Sequence, residues 1–374
     1  MIKQRTTQLI FGAIITIALF GAYILITQLQ RGENNFPNKE ILNGQDNDLY
    51  LFTDYIRDFN KIYEDINHFK EAFTNFKEQL AQIQRFNSES TTDLKLGLNQ
   101  YSDLSQNDYS KILQVANFNG SESNQVISTD TVIQQITEID QVSDYRILQQ
   151  LPTSLDFRTK NNYLSPVKNQ GKCASAYAFA PMALIEYLYR KNNYQKYKDI
   201  DFSEQYIVDC SNGYLSQNFG CIKGTVYHSL LFMQRYKFPL EKNYPYVGRS
   251  KKCDSSAFQS QENYGISSFL QFQVQFSSQL QQIVQEGPIV ALVASQSPAF
   301  RSYKSGIITP SRCIGNPDHA VLIIGYGISY DKKYWIFSNS WGTSWGENGF
   351  GKIEMNDLDF GTCMMYFELY KINI

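Results

Sequence analysis

The sequence has few charged residues of either sign, and few tryptophans and histidines. Charged side chains make up 19% of its 374 residues, and it has 3 tryptophans and 3 histidines. The net charge is −2, which argues against a global polyanion-binding role, because nucleic-acid affinity rests largely on basic residues that neutralise phosphates. We therefore expect no nucleic-acid partner. The hydrophobic share of 43% excludes a disordered or fibrous chain.

Metal-binding patterns are also missing. There is no Cys-x-x-Cys pair, and only His228 and His319 lie beyond residue 150. Since zinc sites are usually built from closely spaced cysteines and histidines, the sequence predicts no metal site. We expect no other cofactor, and we find no internal repeat.

The N-terminus carries a long apolar run. Lys3 and Arg5 precede 18 uncharged residues, LIFGAIITIALFGAYILI at 9–26. As a helix this run would span about 27 Å, close to a hydrocarbon core of ~30 Å. The basic flank favours a cytoplasmic N-terminus, so the run is either a retained type II membrane anchor or a cleaved signal peptide. Either interpretation sends the rest of the chain into the secretory pathway, to a lysosome, a vacuole or the extracellular space.

Composition divides the chain into five regions. Apolar residues recur at three- and four-residue intervals between Phe69 and Ile83, as on one face of a helix. A later stretch is rich in polar residues and contains the sequon at Asn119, a candidate glycosylation site. The predicted regions are a signal or anchor at 1–30, a spacer at 31–49, a helical domain at 50–116, a linker at 117–150 and a main domain at 151–374.

Three segments of the main domain resemble the papain family of cysteine peptidases, the cathepsin L type in particular. They stand in the family's order as PVKNQG at 166–171, DHAV at 318–321 and NSWGTSWGENG at 339–349. LPTSLDFR at 151–158 is similar to the start of a mature enzyme. The resemblance covers roughly residues 50–374. It implies an α+β, papain-like two-domain fold in which a helical half, up to about residue 260, and a β-barrel-like half enclose a cleft.

The helical domain resembles the propeptide of this family. GLNQYSD at 97–103 is similar to its second motif. The family's interrupted helical signature is kept in part, with the usual residues at Phe76, Ile83 and Asn87 and departures at His68, Ala72 and Gln79. The resemblance implies that this domain, preceding the peptidase domain, runs through the cleft and blocks it. The chain's own propeptide is thus one expected partner.

The resemblance also implies which residues form the active site. A cysteine peptidase needs a thiolate at a helix N-terminus, an oriented base and oxyanion donors. His319 matches the base, Asn339 the group that orients it and Gln170 the side-chain oxyanion donor. The nucleophile should stand six residues after Gln170, where this sequence has Ala176. A methyl group cannot ionise or attack a carbonyl, so the family mechanism lacks its nucleophile.

Two other residues, Cys173 and Ser175, could replace the missing nucleophile, and both are unfavourable. The family pattern pairs the six cysteines as Cys173–Cys221, Cys210–Cys253 and Cys313–Cys363, which leaves no free thiol. Ser175 precedes Ala176, but adjacent residues of a helix point about 100° apart, so its hydroxyl should face away from His319.

The substrate cleft keeps some family positions and changes others. The resemblance places Gly224, Asp318, Trp341 and Glu368 along the cleft, with Trp341 shielding the histidine–asparagine hydrogen bond. Glu368 would favour a basic substrate side chain if it lines the second specificity pocket; it could equally be a solvated glutamate on a strand. Departures from the usual residues occur at Ala174, Tyr177, Ala180, Pro181, Ile222 and Lys223.

The sequence leaves three functions open. The first is a papain-family homologue without peptidase activity that binds a peptide or protein in its cleft. The second is an active endopeptidase with a non-standard nucleophile. The third is a structural luminal protein whose cleft is unused. If the apolar run at 9–26 is retained, the membrane is a further partner.

Overall fold

The computed structural model describes residues 47–113, 151–213, 217–254 and 263–374. The predicted anchor at 9–26, the linker at 117–150 and the sequon at Asn119 lie outside these residues. In the described part of the chain, no helix is both long enough and apolar enough to cross a membrane.

The first of two compact units contains the described residues up to Ser88 together with Leu98–Gln106. Its helices are α1 (Asn47–Asp58) and α2 (Ile66–Glu89). The predicted apolar face of α2 is buried, which confirms the periodicity. Helix α1 begins at Asn47, two residues before the predicted end of the spacer at residue 49.

An aromatic cluster forms the core of the first unit. The Phe52 ring lies 5.0 Å from that of Phe76 and 5.2 Å from that of Phe73. Beside it, the buried Asp103 carboxylate accepts hydrogen bonds from the Tyr55 and Tyr63 hydroxyls, both at 2.9 Å. An aspartate with several donors holds its segment firmly, because each bond to a buried charge is worth about 1.5–3 kcal/mol. The second propeptide-like motif is therefore anchored to this unit through Asp103.

The second unit contains residues Glu89–Gly97 and Asn107–Ile374. Two pieces of the predicted propeptide domain thus belong with the main domain, a division that the sequence did not predict. The piece Glu89–Gly97 belongs with the main domain because its strand β1 (Lys95–Leu96) pairs with β5 (Tyr303–Ser305).

One antiparallel sheet carries the β-rich half. Its strands are β2 (Leu155–Asp156), β3 (Ser268–Phe272), β4 (Ile289–Val293), β6 (His319–Ser329), β7 (Lys332–Ser338), β8 (Phe350–Glu354) and β9 (Leu369–Asn373). Six of them follow the order β3-β9-β4-β6-β7-β8, and β2 pairs with β6. Residue 155 is thus already part of this half, although the sequence assigned everything before about residue 260 to the helical half. Strand β4 is buried along its whole length.

The helices of the second unit lie mainly before the sheet in the chain. The longest, α5 (Ala176–Asn192), contains Pro181 and runs through it without a break. It packs against β6. The others are α3 (Gln106–Ile112), α4 (Phe157–Lys160), α6 (Tyr194–Tyr197), α7 (Glu204–Cys210), α8 (Val226–Arg235), α9 (Ser277–Val284), α10 (Pro298–Arg301) and three 3-10 turns at Glu241–Asn243, Pro310–Arg312 and Thr362–Met364.

All six cysteines are in disulfides, and the three predicted pairs are confirmed. They are Cys173–Cys221, Cys210–Cys253 and Cys313–Cys363. The first joins the segment before α5 to the segment before α8, so it fixes the loops on one side of the α5 N-terminus.

Candidate active site

His319 and Asn339 are brought together by the β6–β7 pair. His319 is the first residue of β6, and Asn339 follows the last residue of β7. Nε2 of His319 and Oδ1 of Asn339 are 2.8 Å apart. The same Oδ1 accepts from the Ser340 backbone N–H at 2.8 Å, so it is an acceptor and Nε2 must carry the proton. Nδ1 of a neutral His319 therefore presents a lone pair, the orientation that a base requires.

The aromatic surroundings of His319 exclude water. The Trp341 ring lies 4.7 Å from the imidazole, and both residues are fully buried. Burial lowers the pKa of His319 to about 4, and the hydrogen bond to Asn339 opposes this shift only in part. The imidazole is therefore neutral near pH 7, and the Trp341 ring packs against it.

The position that the family resemblance assigns to the nucleophile holds a methyl group. Ala176 is the first residue of α5, is fully buried and stands where a helix dipole would favour a thiolate. Nδ1 of His319 is buried without a hydrogen-bond partner among the described residues. The imidazole is therefore oriented by Asn339, but within the described ranges no side chain is hydrogen-bonded to its Nδ1.

Ser175 is bonded to other groups. Its Oγ lies 2.9 Å from the Tyr246 hydroxyl oxygen. The Tyr246 hydroxyl donates to the Gln170 carbonyl at 2.8 Å, and the Ser175 hydroxyl has a second possible acceptor in the Cys173 carbonyl at 3.4 Å. The Ser175 hydroxyl is thus engaged by Tyr246, and its orientation away from His319 stays a prediction. Tyr246 was missed, because nothing in the sequence links a residue 71 positions away to Ser175.

The Gln170 side chain has partners within the protein. Nε2 donates to the Cys173 carbonyl at 2.8 Å, and Oε1 accepts from the Ser340 hydroxyl at 2.7 Å. A primary amide has two N–H groups, and one remains after the bond to Cys173. The oxyanion role of Gln170 stays a prediction that this geometry permits.

Tyr177 and Gly224 are packed against each other. The Tyr177 hydroxyl donates to the Gly220 carbonyl at 2.7 Å, and a Cβ at Gly224 would lie 2.6 Å from the ring. Gly224 is thus needed to make room for Tyr177. Whether its backbone also binds substrate remains a prediction.

Asp318 is a half-buried carboxylic acid, and Glu368 is a buried one. Asp318 accepts from the Ser295 backbone N–H at 2.9 Å and hydroxyl at 2.8 Å, and burial raises its pKa to about 6. Glu368 is only 2% exposed and accepts a hydrogen bond from the Tyr370 hydroxyl. The interpretation of Glu368 as a solvated strand residue is therefore wrong, because the side chain lies inside the β-rich half.

Residues of the predicted propeptide pack beside the histidine. The Tyr109 ring lies 5.9 Å from that of Trp341, and its hydroxyl donates to the Ser295 carbonyl at 2.9 Å. The Arg301 guanidinium lies 4.7 Å from the centre of the Tyr109 ring. This part of the propeptide is thus bound to the wall of Trp341 and α10.

Comparison with known proteins agrees with this site. A two-half fold with His319, Asn339 and a helix N-terminus at Ala176 defines a papain-like protein. Residues 151–370 match the papain family cysteine protease domain, and residues 52–109 match the cathepsin propeptide inhibitor domain. The chain belongs to the papain family of cysteine proteases and carries a propeptide of the cathepsin type.

Similar proteins come from plants, insects and a virus. The thiol protease aleurain of Arabidopsis thaliana is 31% identical over 86% of this chain and 85% of its own length. A viral cathepsin of Spodoptera litura multicapsid nucleopolyhedrovirus is 32% identical over 86% and 90%. The procathepsin L2 structure from Tenebrio molitor larval midgut has a TM-score of 0.72 at 23% identity, covering 87% of this chain and 100% of that one. A recombinant stem bromelain precursor has a TM-score of 0.69 at 26% identity, covering 87% and 99%.

The described residues contain no group of three or more histidine, cysteine, aspartate or glutamate side chains placed to hold a metal ion.

Proposed function

We propose that this chain is a papain-family homologue of the secretory pathway that does not cleave peptides and acts by binding a peptide or protein in its cleft. The observation that carries the proposal is the environment of His319, whose Nδ1 faces no nucleophile among the described residues. Ala176 has no proton to give, the cysteines are all in disulfides, and the Ser175 hydroxyl is bonded to Tyr246.

Loss of the nucleophile alone does not remove the ability to bind. Substrate affinity in such a cleft comes from backbone hydrogen bonds and side-chain pockets, whereas the thiolate acts only in the bond-forming step. The site keeps its oriented histidine, its tryptophan cover and its glycine at position 224. Retaining this framework supports a binding role over a purely structural luminal one.

Two measurements on the propeptide-free domain test the proposal. A fluorogenic peptide library should give no turnover above the buffer rate with the wild type, and titration of the same peptides should show saturable binding. Turnover that disappears in Ser175→Ala would mean that the serine acts as nucleophile, which overturns the proposal. Absence of both turnover and binding would favour a structural protein.

A further inference from the structure

Five exposed cationic side chains lie on three loops of the second unit. They are Lys172, Lys223, Arg249, Lys251 and Lys252. The chain as a whole has a net charge of −2, so this concentration of positive charge is local. Because the Debye length is about 8 Å at physiological salt, a ligand at these loops responds to the local charges rather than to the net charge.

Covalent and hydrogen bonds hold the three loops together. The Cys173–Cys221 disulfide joins the first two, with their Cα atoms 4.5 Å apart. The Cys221 backbone N–H donates to the Ser250 hydroxyl at 2.8 Å, which ties the third loop to the second. Each cationic residue lies within two positions of one of these anchor residues. The five cationic residues therefore lie on loops that are joined to one another.

No ion pair within the described chain neutralises these charges. None of the five side chains approaches a described carboxylate within 4.0 Å, whereas Lys168, Lys332 and Lys371 each do. The loops at 169–175, 217–225 and 245–253 contain no aspartate or glutamate.

The buried carboxylate that contacts the third loop is already occupied. Asp209 accepts from the Lys251 backbone N–H at 2.6 Å and from the Tyr244 hydroxyl at 3.0 Å. It therefore contacts the main chain of this loop and no ammonium group of it. The positive charge of these loops remains available to a ligand.

Two apolar side chains stand among the cations. Ile222 is 71% exposed and is the neighbour of Lys223, and Val247 is 47% exposed on the same loop as Arg249. Exposed isoleucine and valine gain nothing from a sulfated or phosphorylated sugar chain, but they can be covered by apolar side chains of a polypeptide. This combination distinguishes a protein partner from a polysaccharide.

We propose that this cationic rim, formed by Lys172, Lys223, Arg249, Lys251 and Lys252 with Ile222 and Val247, binds an acidic polypeptide segment whose carboxylates are interspersed with apolar side chains. The rim adjoins Gly224 but uses none of the residues of the histidine site. The inference therefore holds whether or not the chain cleaves peptides.

The test uses the full chain and two labelled peptides of about twelve residues, which span about 40 Å when extended. One peptide alternates glutamate with leucine and tyrosine, and the other replaces each glutamate by glutamine. We expect the acidic peptide to bind about tenfold more tightly or better, and its affinity to fall steeply with added salt. Lys223→Glu, Lys251→Glu and Lys252→Glu together should weaken it at least tenfold, and the corresponding Gln variant by less.

Three controls decide between outcomes. The triple variant Lys160→Glu, Lys332→Glu and Lys333→Glu changes the net charge by the same amount at other sites and should leave the affinity for the acidic peptide unchanged. If it weakens binding as much as the rim variant does, the peptide responds to the total charge of the protein, and the rim proposal is wrong. Ile222→Ser should weaken binding several-fold without altering the salt dependence. If Ile222→Ser has no effect and a heparin fragment competes at equal charge, the surface is a polysaccharide site and the polypeptide assignment is wrong. Equal binding of both peptides would overturn the inference entirely.

Discussion

The Tyr177 ring fills the space that any side chain at Gly224 would occupy. A Cβ built on Gly224 comes within 2.6 Å of ring atoms of Tyr177, whose hydroxyl is fixed by the Gly220 carbonyl. Tyr177 stands in the first turn of the helix that should aim a nucleophile, and Gly224 lies on the segment expected to contact a ligand. The two positions are thus mechanically connected.

This packing predicts that Gly224→Ala lowers the stability of the protein. Because the ring is buried and cannot move freely, the added methyl should destabilise the second unit by about 1–3 kcal/mol, as overpacking does. The matched control is Gly287→Ala, where the nearest atom to an added Cβ is 3.5 Å away and the change should be small. Urea unfolding measures both, and a Gly224→Ala variant as stable as the control would contradict the packing.

The zymogen should not process itself. Family members commonly help to cleave their own propeptides, and this chain has no thiolate to do so. Purified full-length protein should therefore stay intact at acidic pH, as followed by gel electrophoresis over time. A trace of added protease should cut the chain between residues 117 and 150. Concentration-dependent conversion in a protease-free sample would show that a nucleophile exists.

His319 should remain neutral at pH 5. Burial depresses its pKa to about 4, below the usual value of ~6.5. Since the folded pKa is the lower one, the neutral ring contributes stability above pH ~6.5 that is lost as the pH falls toward 4. Histidine NMR of the full chain, assigned with His319→Gln, should show one ring whose signal does not shift between pH 7 and 5. A midpoint near the ordinary value would mean that the site is hydrated.

A second titration lies in the helical half. Lys168 Nζ contacts Glu204 at 2.7 Å, Glu186 at 2.8 Å and Asp201 at 2.6 Å. Burial raises the pKa of Glu204, and the Glu186 carboxylate adds to this increase although Lys168 opposes it. A raised folded pKa gives stability that is present below pH ~4.5 and lost as the pH rises through the folded value.

We therefore expect the contribution of Glu204 to the unfolding free energy to fall between pH 5 and 8, so that Glu204→Gln makes the measured curve rise more, or fall less, with pH than that of the wild type. Urea denaturation at several pH values measures both curves. The exposed Glu286→Gln, whose partner is the surface Lys371, is the control and should leave the slope unchanged. Parallel curves for wild type and Glu204→Gln would contradict the assignment.

Much of the site could be predicted from the sequence, because it depends on local strings. The histidine and asparagine segments, the disulfide pairs and the helix beginning at Ala176 lie where the family resemblance puts them. The partners of Ser175 and Gln170 could not be predicted, since Tyr246 and Ser340 meet them only through tertiary packing. The burial of Glu368 was equally hidden, because a short strand next to a disulfide does not show in its sequence which face is inward.

The strongest prediction is that Ala176→Cys gives the propeptide-free domain weak peptide hydrolysis. The new thiol would stand at the start of α5, which packs against β6, the strand that begins at His319, with Asn339 still orienting the imidazole. An ion pair with the thiolate should raise the pKa of His319 from its present low value, because a nearby negative charge favours the charged ring. The rate should stay far below that of an optimised protease, since a displacement of about 1 Å can cost on the order of a hundredfold.

Pro181 removes one backbone donor from α5 and costs ~3 kcal/mol in a regular helix, so adding Pro181→Ala should increase the rate. In the Ala176→Cys background, His319→Ala should abolish the hydrolysis, while Ser175→Ala should leave its rate nearly unchanged. If Ala176→Cys forms a titratable thiol and still shows no turnover, the cleft has diverged beyond catalysis and binding is the function that remains.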